Sequence, residues 1–574
     1  MRLPRLAVLL ALAATACGAV VYVARQTAPA EPTQLASFVP QGALLSLESP
    51  DFAGLLKSWT SSKEEQRWLA GDDYGSFSRS RLFSRLSDAQ DQFAATAGLP
   101  PDVRFVQQIA GGESLLAWYD IGNLQFLYIT RMPPGVAQKT PLLQLSSKFE
   151  QRKVGDTTFF VRTQGDPERT VAFAVRGDCL LLATRADLLT GALQLMQQPS
   201  DGTLLNESWY SATTAAAARK PGDLRMALNL MKIVPSPYFR SYWVQQNITQ
   251  MKQYTAALSD FDRGADAFNE ERVLLPANAD QTMASSDLAP VLAYVPKNSG
   301  FYRATAQPGG QAILAELQDK LLDRLPAADR NTHAAPAADL STPAAGDEAA
   351  LEERIDDPVV PAASQNTQTG LLGDLIEKAG VQAMLVYEAT DAPGQAAEVL
   401  APVHSAVVLA GSNAWDGPQV QQAFTTALAT KLSVSASGLQ WSAQQHGSMS
   451  WSVLGGLQGI VVAVQGKTLV MASDESTMAR LLDASQHAPQ STRVATTISG
   501  FDHTTERPRF VAMSRMLDNY YPVTPPKAGT TPPFFAGNMV SLSDTFQDLD
   551  SETLTESSGA GNVVHQSVSY QWRH

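Results

Sequence analysis

Catalytic signatures are what this sequence has least of. Its 574 residues include two cysteines, and only Cys179 lies beyond the N-terminal segment, so the body of the chain cannot close an internal disulfide. Cys179 sits inside an apolar strand pattern and reads as a small buried hydrophobe. No two of the seven histidines stand at the i, i+4 or His-x-His spacing that would put two imidazoles on one metal. There is no Gly-x-Ser-x-Gly elbow and no Ser three residues before a Lys, which removes two signatures of nucleophilic hydrolases. Charge is sparse too, at 17% Asp, Glu, Lys and Arg against about 25% in an ordinary soluble domain. What charge there is sums to −13, the wrong sign for a surface that neutralises phosphates, so nucleic acid is not an expected partner. No catalytic, cofactor-binding or metal-binding residue is assigned, and no cofactor is expected.

What is there is a pattern that occurs twice. Val171–Met196 reads as strand, two-residue turn, strand and helix, and Ile460–Ser485 repeats it without a gap at an offset of 289. Gly177-Asp178 and Gly466-Lys467 place Gly first in each turn, where a hairpin needs positive φ. This accounts for two deceptive tripeptides. Arg176-Gly177-Asp178 spells an adhesion motif but echoes Gln-Gly-Lys, and Gly466-Lys467-Thr468 lacks the earlier Gly of a phosphate loop, with Val461 in its place. Thr184 and Ser473 follow at matching positions and read as helix N-caps.

Fainter echoes keep the same order. Val39-Pro40 returns as Val295-Pro296, and Ala110-Gly111 with Leu116 as Ala379-Gly380 with Leu385. Pro221 with Met226 returns as Pro508 with Met513, and Leu258-Ser259-Asp260 as Leu542-Ser543-Asp544. The expected fold is therefore α+β: two tandem diverged repeats, each a mainly antiparallel sheet with helices packed on one face. The boundaries are 1–30 for a signal segment and tether, 31–285 for the first repeat and 286–574 for the second. Residues 326–366 are rich in Ala and Pro and read as a disordered insertion inside the second repeat, not as the linker between the two. Leu142–Glu150 is read as helix.

Residues 1–25 carry a membrane signal. Arg2 and Arg5 precede an uncharged run from Leu6 to Ala24, long enough at the helical rise to cross the hydrocarbon layer. The run is read as an uncleaved signal anchor with a cytoplasmic N-terminus. Ala14-Thr15-Ala16-Cys17 offers a lipoprotein alternative with Cys17 lipidated, and cleavage near Ala28–Ala30 is a third. All three put the body of the chain in the periplasm or outside the cell.

The least bland surface is the segment from Pro235 to Trp243. Tyr238, Phe239, Arg240, Tyr242 and Trp243 are residue types enriched in binding hot spots and form the candidate partner-binding set. The region Tyr520–Phe535 is similarly rich in Pro and aromatics. With the N-terminal run, Val39-Pro40, Phe77–Leu86, Phe239–Gln246 and the closing Tyr570-Gln571-Trp572 in view, the chain resembles a group of uncharacterised bacterial envelope proteins, N-terminally anchored and carrying a domain of unknown function. The resemblance implies a compartment and no activity. The expected function is a membrane-tethered extracytoplasmic binding or scaffold protein of the cell envelope. Its partners would be the membrane, through the N-terminal segment, and an envelope protein, glycan or lipid. Two alternatives stand beside it: an envelope hydrolase with carboxylates in a cleft between the repeats, and a carrier of an apolar ligand.

If the N-terminal run is an anchor, Cys17→Ala leaves the protein in the membrane fraction on fractionation. Release into the soluble fraction would contradict that reading.

Overall fold

An unbroken apolar strand such as Cys179–Ala183 has no face fit for water, and helices must cover both of its sides. The computed structural model describes residues 33–572 apart from 72–73, 76–77, 79–80, 166–167, 218–220, 237–250, 279–283, 298–299, 323–369, 391–402, 433–438, 447–448, 456–458, 490 and 508–547. The first half contributes β1 (Leu45–Ser49), β2 (Ser114–Asp120), β3 (Gln125–Arg131), β4 (Glu150–Val154), β5 (Thr157–Gln164), β6 (Arg169–Arg176), β7 (Cys179–Ala183), β8 (Leu224–Leu228), β9 (Tyr254–Arg263) and β10 (Ala267–Pro276). The second contributes β11 (Phe301–Ala306), β12 (Val381–Thr390), β13 (Val403–Gly411), β14 (Trp441–His446), β15 (Met449–Leu454), β16 (Ile460–Gln465), β17 (Thr468–Ala472), β18 (Thr497–Asp502), β19 (Leu549–Ser558) and β20 (Val564–Trp572).

These 20 strands form one antiparallel sheet. Its order is β4-β5-β6-β7-β3-β2-β1-β8-β9-β10-β20-β19-β18-β11-β12-β13-β17-β16-β15-β14. Counted inward from the two ends, each strand of the first half meets the strand numbered ten higher. The halves join through β10 and β20, which pair from Ala267↔Gln571 to Leu274↔Val564. Glu271 stands opposite Ser567 in this seam, and the Ser567 hydroxyl donates to Glu271 Oε1 at 2.7 Å.

The helices needed below are α1 (Phe52–Thr60), α2 (Lys63–Ala70), α3 (Arg81–Ala97), α4 (Val103–Ile109), α5 (Ala186–Gln197), α6 (Ser208–Ala216), α7 (Gly310–Leu317), α8 (Gly370–Ala379), α9 (Gly417–Leu432) and α10 (Glu475–Gln486). They lie on both faces of the sheet, which corrects the one-face expectation. In β6 and β7, Ala172, Ala174, Leu181 and Ala183 pack with Leu189 and Leu193 of α5. The alternating Val171, Phe173, Leu180 and Leu182 pack on the other side with Ala97, Phe105 and Ile109 of α3 and α4. The second half divides the same way, with Val461, Ala463, Val470 and Ala472 facing α10 and Ile460, Val462, Leu469 and Met471 facing α7, α8 and α9.

Both hairpin turns form as read, with Gly177 at φ 60° and Gly466 at φ 62°. Thr184 and Ser473 do not cap helices. Helix α5 begins after Arg185 with no side-chain cap, and α10 is capped by Asp474, which accepts from the Thr477 N–H. The two hydroxyls accept instead from the next strand: Phe126 N–H to Thr184 at 2.9 Å, and Ser405 N–H to Ser473 at 3.1 Å. Each thus ties the start of its helix to β3 or β13. The bonds Thr184 N–H to Phe126 O and Ser473 N–H to Ser405 O run back across the same gap.

Three other readings change. Leu116 and Leu385, aligned by sequence, lie on opposite faces, Leu116 beside α4's cluster and Leu385 beside α10's. A bulge between Val381 and Ala383 adds the residue responsible, and one residue reverses every side chain after it. The places of β8 and β9 are held in the second half by β18 and β19, not by the segments around Met513 and Leu542, which lie outside the described residues. Leu142–Glu150 is not one helix: an α turn over Pro141–Gln144 and a 3-10 turn over Ser146–Lys148 are followed by a strand from Glu150. That strand, β4, is the outer edge of the sheet, and its Glu150, Gln151, Arg152 and Lys153 are all exposed. Residues 326–366 fall outside the described residues, between α7 and α8.

Thr184→Val and Ser473→Ala each leave a strand N–H without its acceptor and are expected to cost about 1 kcal/mol in urea unfolding. Unchanged midpoints for both would show that these bonds contribute nothing.

Candidate functional site

Among the described residues, the sheet face under α3 and α4 is incompletely covered. In β2, Leu115 and Ala117 are buried against the α5 side, while Leu116 and Trp118 on the other side remain half-buried. Phe126 of β3 and Leu224 of β8, on the same side, are half-buried as well. Above them lies a cavity of about 850 Å³, floored by these strands and walled by α1, α3 and α4. That volume falls within the roughly 300–1,000 Å³ usual for small-molecule sites.

The cavity is aromatic and aliphatic inside and polar at its mouth. Phe52 of α1 meets Tyr128 edge-on at 6.2 Å between ring centroids, Phe93 of α3 meets Phe105 of α4 at 5.8 Å, and Trp118 meets Phe126 across the β2–β3 pair at 5.6 Å. The Tyr128 hydroxyl donates to the Ile109 carbonyl at 3.3 Å, and burial pushes its pKa up, so it stays a neutral phenol. At the rim Arg169 Nε donates to Gln92 Oε1 at 2.6 Å and its Nη1 to the Asn123 carbonyl at 2.9 Å, which ties α3 to the β2–β3 turn. Arg185, the other rim arginine, pairs with Asp187 and donates to Gln125 Oε1 at 3.1 Å.

The corresponding face of the second half is filled. Ile313 and Leu317 from α7, Leu372 and Ile376 from α8, and Val420, Phe424 and Leu428 from α9 close over Val386, Val407, Val462 and Met471. All of these are buried.

A second cluster lies across the sheet, under α6. Arg225 and Asp260 form a bidentate pair with both distances 2.7 Å and side chains 7% and 2% exposed. The Tyr210 hydroxyl of α6 donates to Glu48 Oε1 at 2.6 Å. Burial raises the pKa of Glu48 despite the Tyr210 bond and the nearby Arg225. Every group here has a partner within the cluster, which marks it as a support for the sheet. The strands in the same places of the second half carry Ala304 and Ile498 opposite each other. Cys179 is buried with its thiol pushed up to about 12, chiefly by desolvation, and stays protonated. Asp474 is half-buried, which alone would raise its pKa, but bonds from Ser476, Thr477, His404 and Ser473 outweigh desolvation and hold it well below the usual carboxylate range.

Tyr238, Phe239, Arg240, Tyr242 and Trp243 lie outside the described residues, as does Cys17. The chain between β8 and β9 contains the first set, and the chain between β18 and β19 contains Tyr520–Phe535. Sequence reasoning missed the cavity. Its only sequence sign was the stripe of α3, where Phe93 and Ala97 enter the core and Leu86 lines the cavity wall at 41% exposure. Among the described residues no group of His, Cys, Asp and Glu is placed to hold a metal, and no helix is long and apolar enough to cross a membrane.

No family model and no curated protein matches the chain. One solved structure that matches is titled "Structure of crystal form I of TP0453". It is 10% identical over 42% of this chain and 79% of that one, with a TM-score of 0.25, a likeness too slight to carry an argument.

An added ring should be welcome where there is room and harmful where there is none. Leu116→Phe is expected to change unfolding free energy by less than about 0.5 kcal/mol, and Val386→Phe, on the filled face, to cost about 1–3 kcal/mol. Equal losses in urea titrations would mean that the cavity is closed up in solution.

Proposed function

We propose that this chain is an extracytoplasmic binding protein that accommodates an apolar ligand in the cavity between β2, β3 and α1, α3, α4. The cavity is the observation that carries the reading. A void of that size lined by rings and aliphatic chains leaves dispersion and burial unrealised on every wall, and an apolar guest supplies both. This favours the carrier alternative over a plain scaffold. It also favours it over a hydrolase with a cleft between halves, because the cavity lies within the first half and the halves meet strand to strand.

The proposal includes an architecture. We read the chain as two diverged copies of one ten-stranded unit, 31–285 and 286–574, with 326–366 inserted in the second. The supports are the strand order, which is the same from either end, and the matching hydrogen bonds of Thr184 and Ser473. Met132 N–H to Asp178 O and Gly411 N–H to Lys467 O are a further matched pair. On this reading one copy keeps a filled face and the other has opened its own. The compartment rests on the run Leu6–Ala24, which would tether the protein to the cytoplasmic membrane with its body outside, in keeping with the anchored envelope proteins it resembles. There it would meet lipids and other apolar molecules of the envelope.

The test is binding of a fluorescent apolar probe, N-phenyl-1-naphthylamine, to the full-length protein. One saturable site is expected, and Leu116→Trp, which places an indole in the cavity, should weaken it about tenfold, equivalent to roughly 1.4 kcal/mol. Absence of saturable binding, or binding indifferent to Leu116→Trp, would sink the proposal.

A further inference from the structure

We infer that the cavity's ligand is an amphiphile with an anionic oxygen headgroup, which Arg169 receives at the mouth while the hydrocarbon portion fills the interior. The inference rests on the cavity-binding reading above and adds the chemistry of the ligand's polar end. The two rim arginines differ in how they are neutralised. Arg185 has the Asp187 carboxylate. Arg169 is held by two neutral acceptors, the Gln92 side-chain oxygen and the Asn123 carbonyl, and among the described residues no carboxylate lies within ion-pair distance of it. Those bonds use Nε and Nη1, two of the five N–H donors that a guanidinium carries. Glu168, its neighbour on the rim, makes no ion pair with it. Glu48 borders the cavity through β1 but turns its side chain to the opposite face of the sheet, where Tyr210 donates to it.

A cation with no carboxylate among the described residues to pair with, at the edge of an apolar chamber, is costly in the empty protein and useful once an anion arrives. Arginine's planar fork suits a carboxylate or phosphate through paired, charge-assisted bonds. The protein as a whole carries −13, so general electrostatic attraction would not bring an anion here. Recognition would have to be local, with the tail supplying affinity and Arg169 supplying selection.

The full-length protein carrying the bound naphthylamine probe is titrated with three competitors: palmitate, hexadecyl phosphate and hexadecanol. They share a tail length and differ at the head. At least one anion should displace the probe at a concentration about ten- to a hundredfold lower than the alcohol, the range expected for hydrogen bonds to a charged group. The better of palmitate and hexadecyl phosphate identifies the headgroup. Arg169→Gln should bring the anions to within about twofold of the alcohol and leave the alcohol unchanged. Because Arg169 also ties α3 to the sheet, Gln92→Glu is the companion variant. It keeps the tie, neutralises the guanidinium in place, and should abolish the anion preference with an unchanged circular-dichroism melt. Equal displacement by all three competitors in the unmodified protein, or an anion preference that survives Gln92→Glu, overturns the headgroup assignment and leaves the cavity reading standing. Failure of the probe itself to bind overturns both.

Discussion

Backbone pairing between β10 and β20 is the interaction on which the rest of the structure depends. The two strands are the last in sequence of their respective halves, and their ladder from Ala267↔Gln571 to Leu274↔Val564 makes two ten-stranded halves into one sheet. Without it each half would end in a row of unpaired N–H and C=O groups. The ladder also fixes which face of one half continues into which face of the other, because a slip of one residue would reverse them. Beside the seam the first half uses polar chemistry to hold its strands. Ser259 donates to Glu270 at 2.5 Å, and Arg272 reaches back to Glu270 and lies 3.5 Å from the Tyr570 hydroxyl of β20.

How much of this could be read from residues alone depended on whether the local chemistry was self-sufficient. The two hairpins were legible because a two-residue turn led by Gly between apolar strands specifies itself. The role of Thr184 and Ser473 was not, since a hydroxyl before a helix looks the same whether it caps that helix or accepts from a strand far away in sequence. The equivalence of Leu116 and Leu385 failed for a single residue, because a bulge leaves no mark that Gly380-Val381 displays in isolation. Strand β4 was hidden by its composition. Glu150-Gln151-Arg152-Lys153 has no apolar alternation, and only its place at the rim makes that acceptable. The coverage of both faces was present in the unbroken apolar runs of β6, β7, β16 and β17, which ask for two layers of helices.

The cavity was illegible for a different reason. Leu116, Trp118, Phe126 and Phe93 look like core residues in a string of letters, and Val386, which holds the place of Leu116 in the second half, is core. Vacancy arises from what the covering helices fail to bring, not from what the floor displays. In the second half α7, α8 and α9 supply Leu317, Ile376 and Phe424 to close the face. In the first, α3 and α4 stand over the sheet with room beneath them.

The exposed charges of β4 have a consequence for the protein's behaviour in a crowded compartment. The seam demonstrates that the edge of one such ten-stranded unit accepts the edge of another. If the outermost strand were as receptive as β10, nothing in the backbone would stop molecule adding to molecule, and the sheet would grow into a filament. Glu150 and Arg152 form an ion pair along the strand and, with Lys153, keep a hydrated fringe where an incoming strand would have to lie. The fringe makes the first half's open end a terminus.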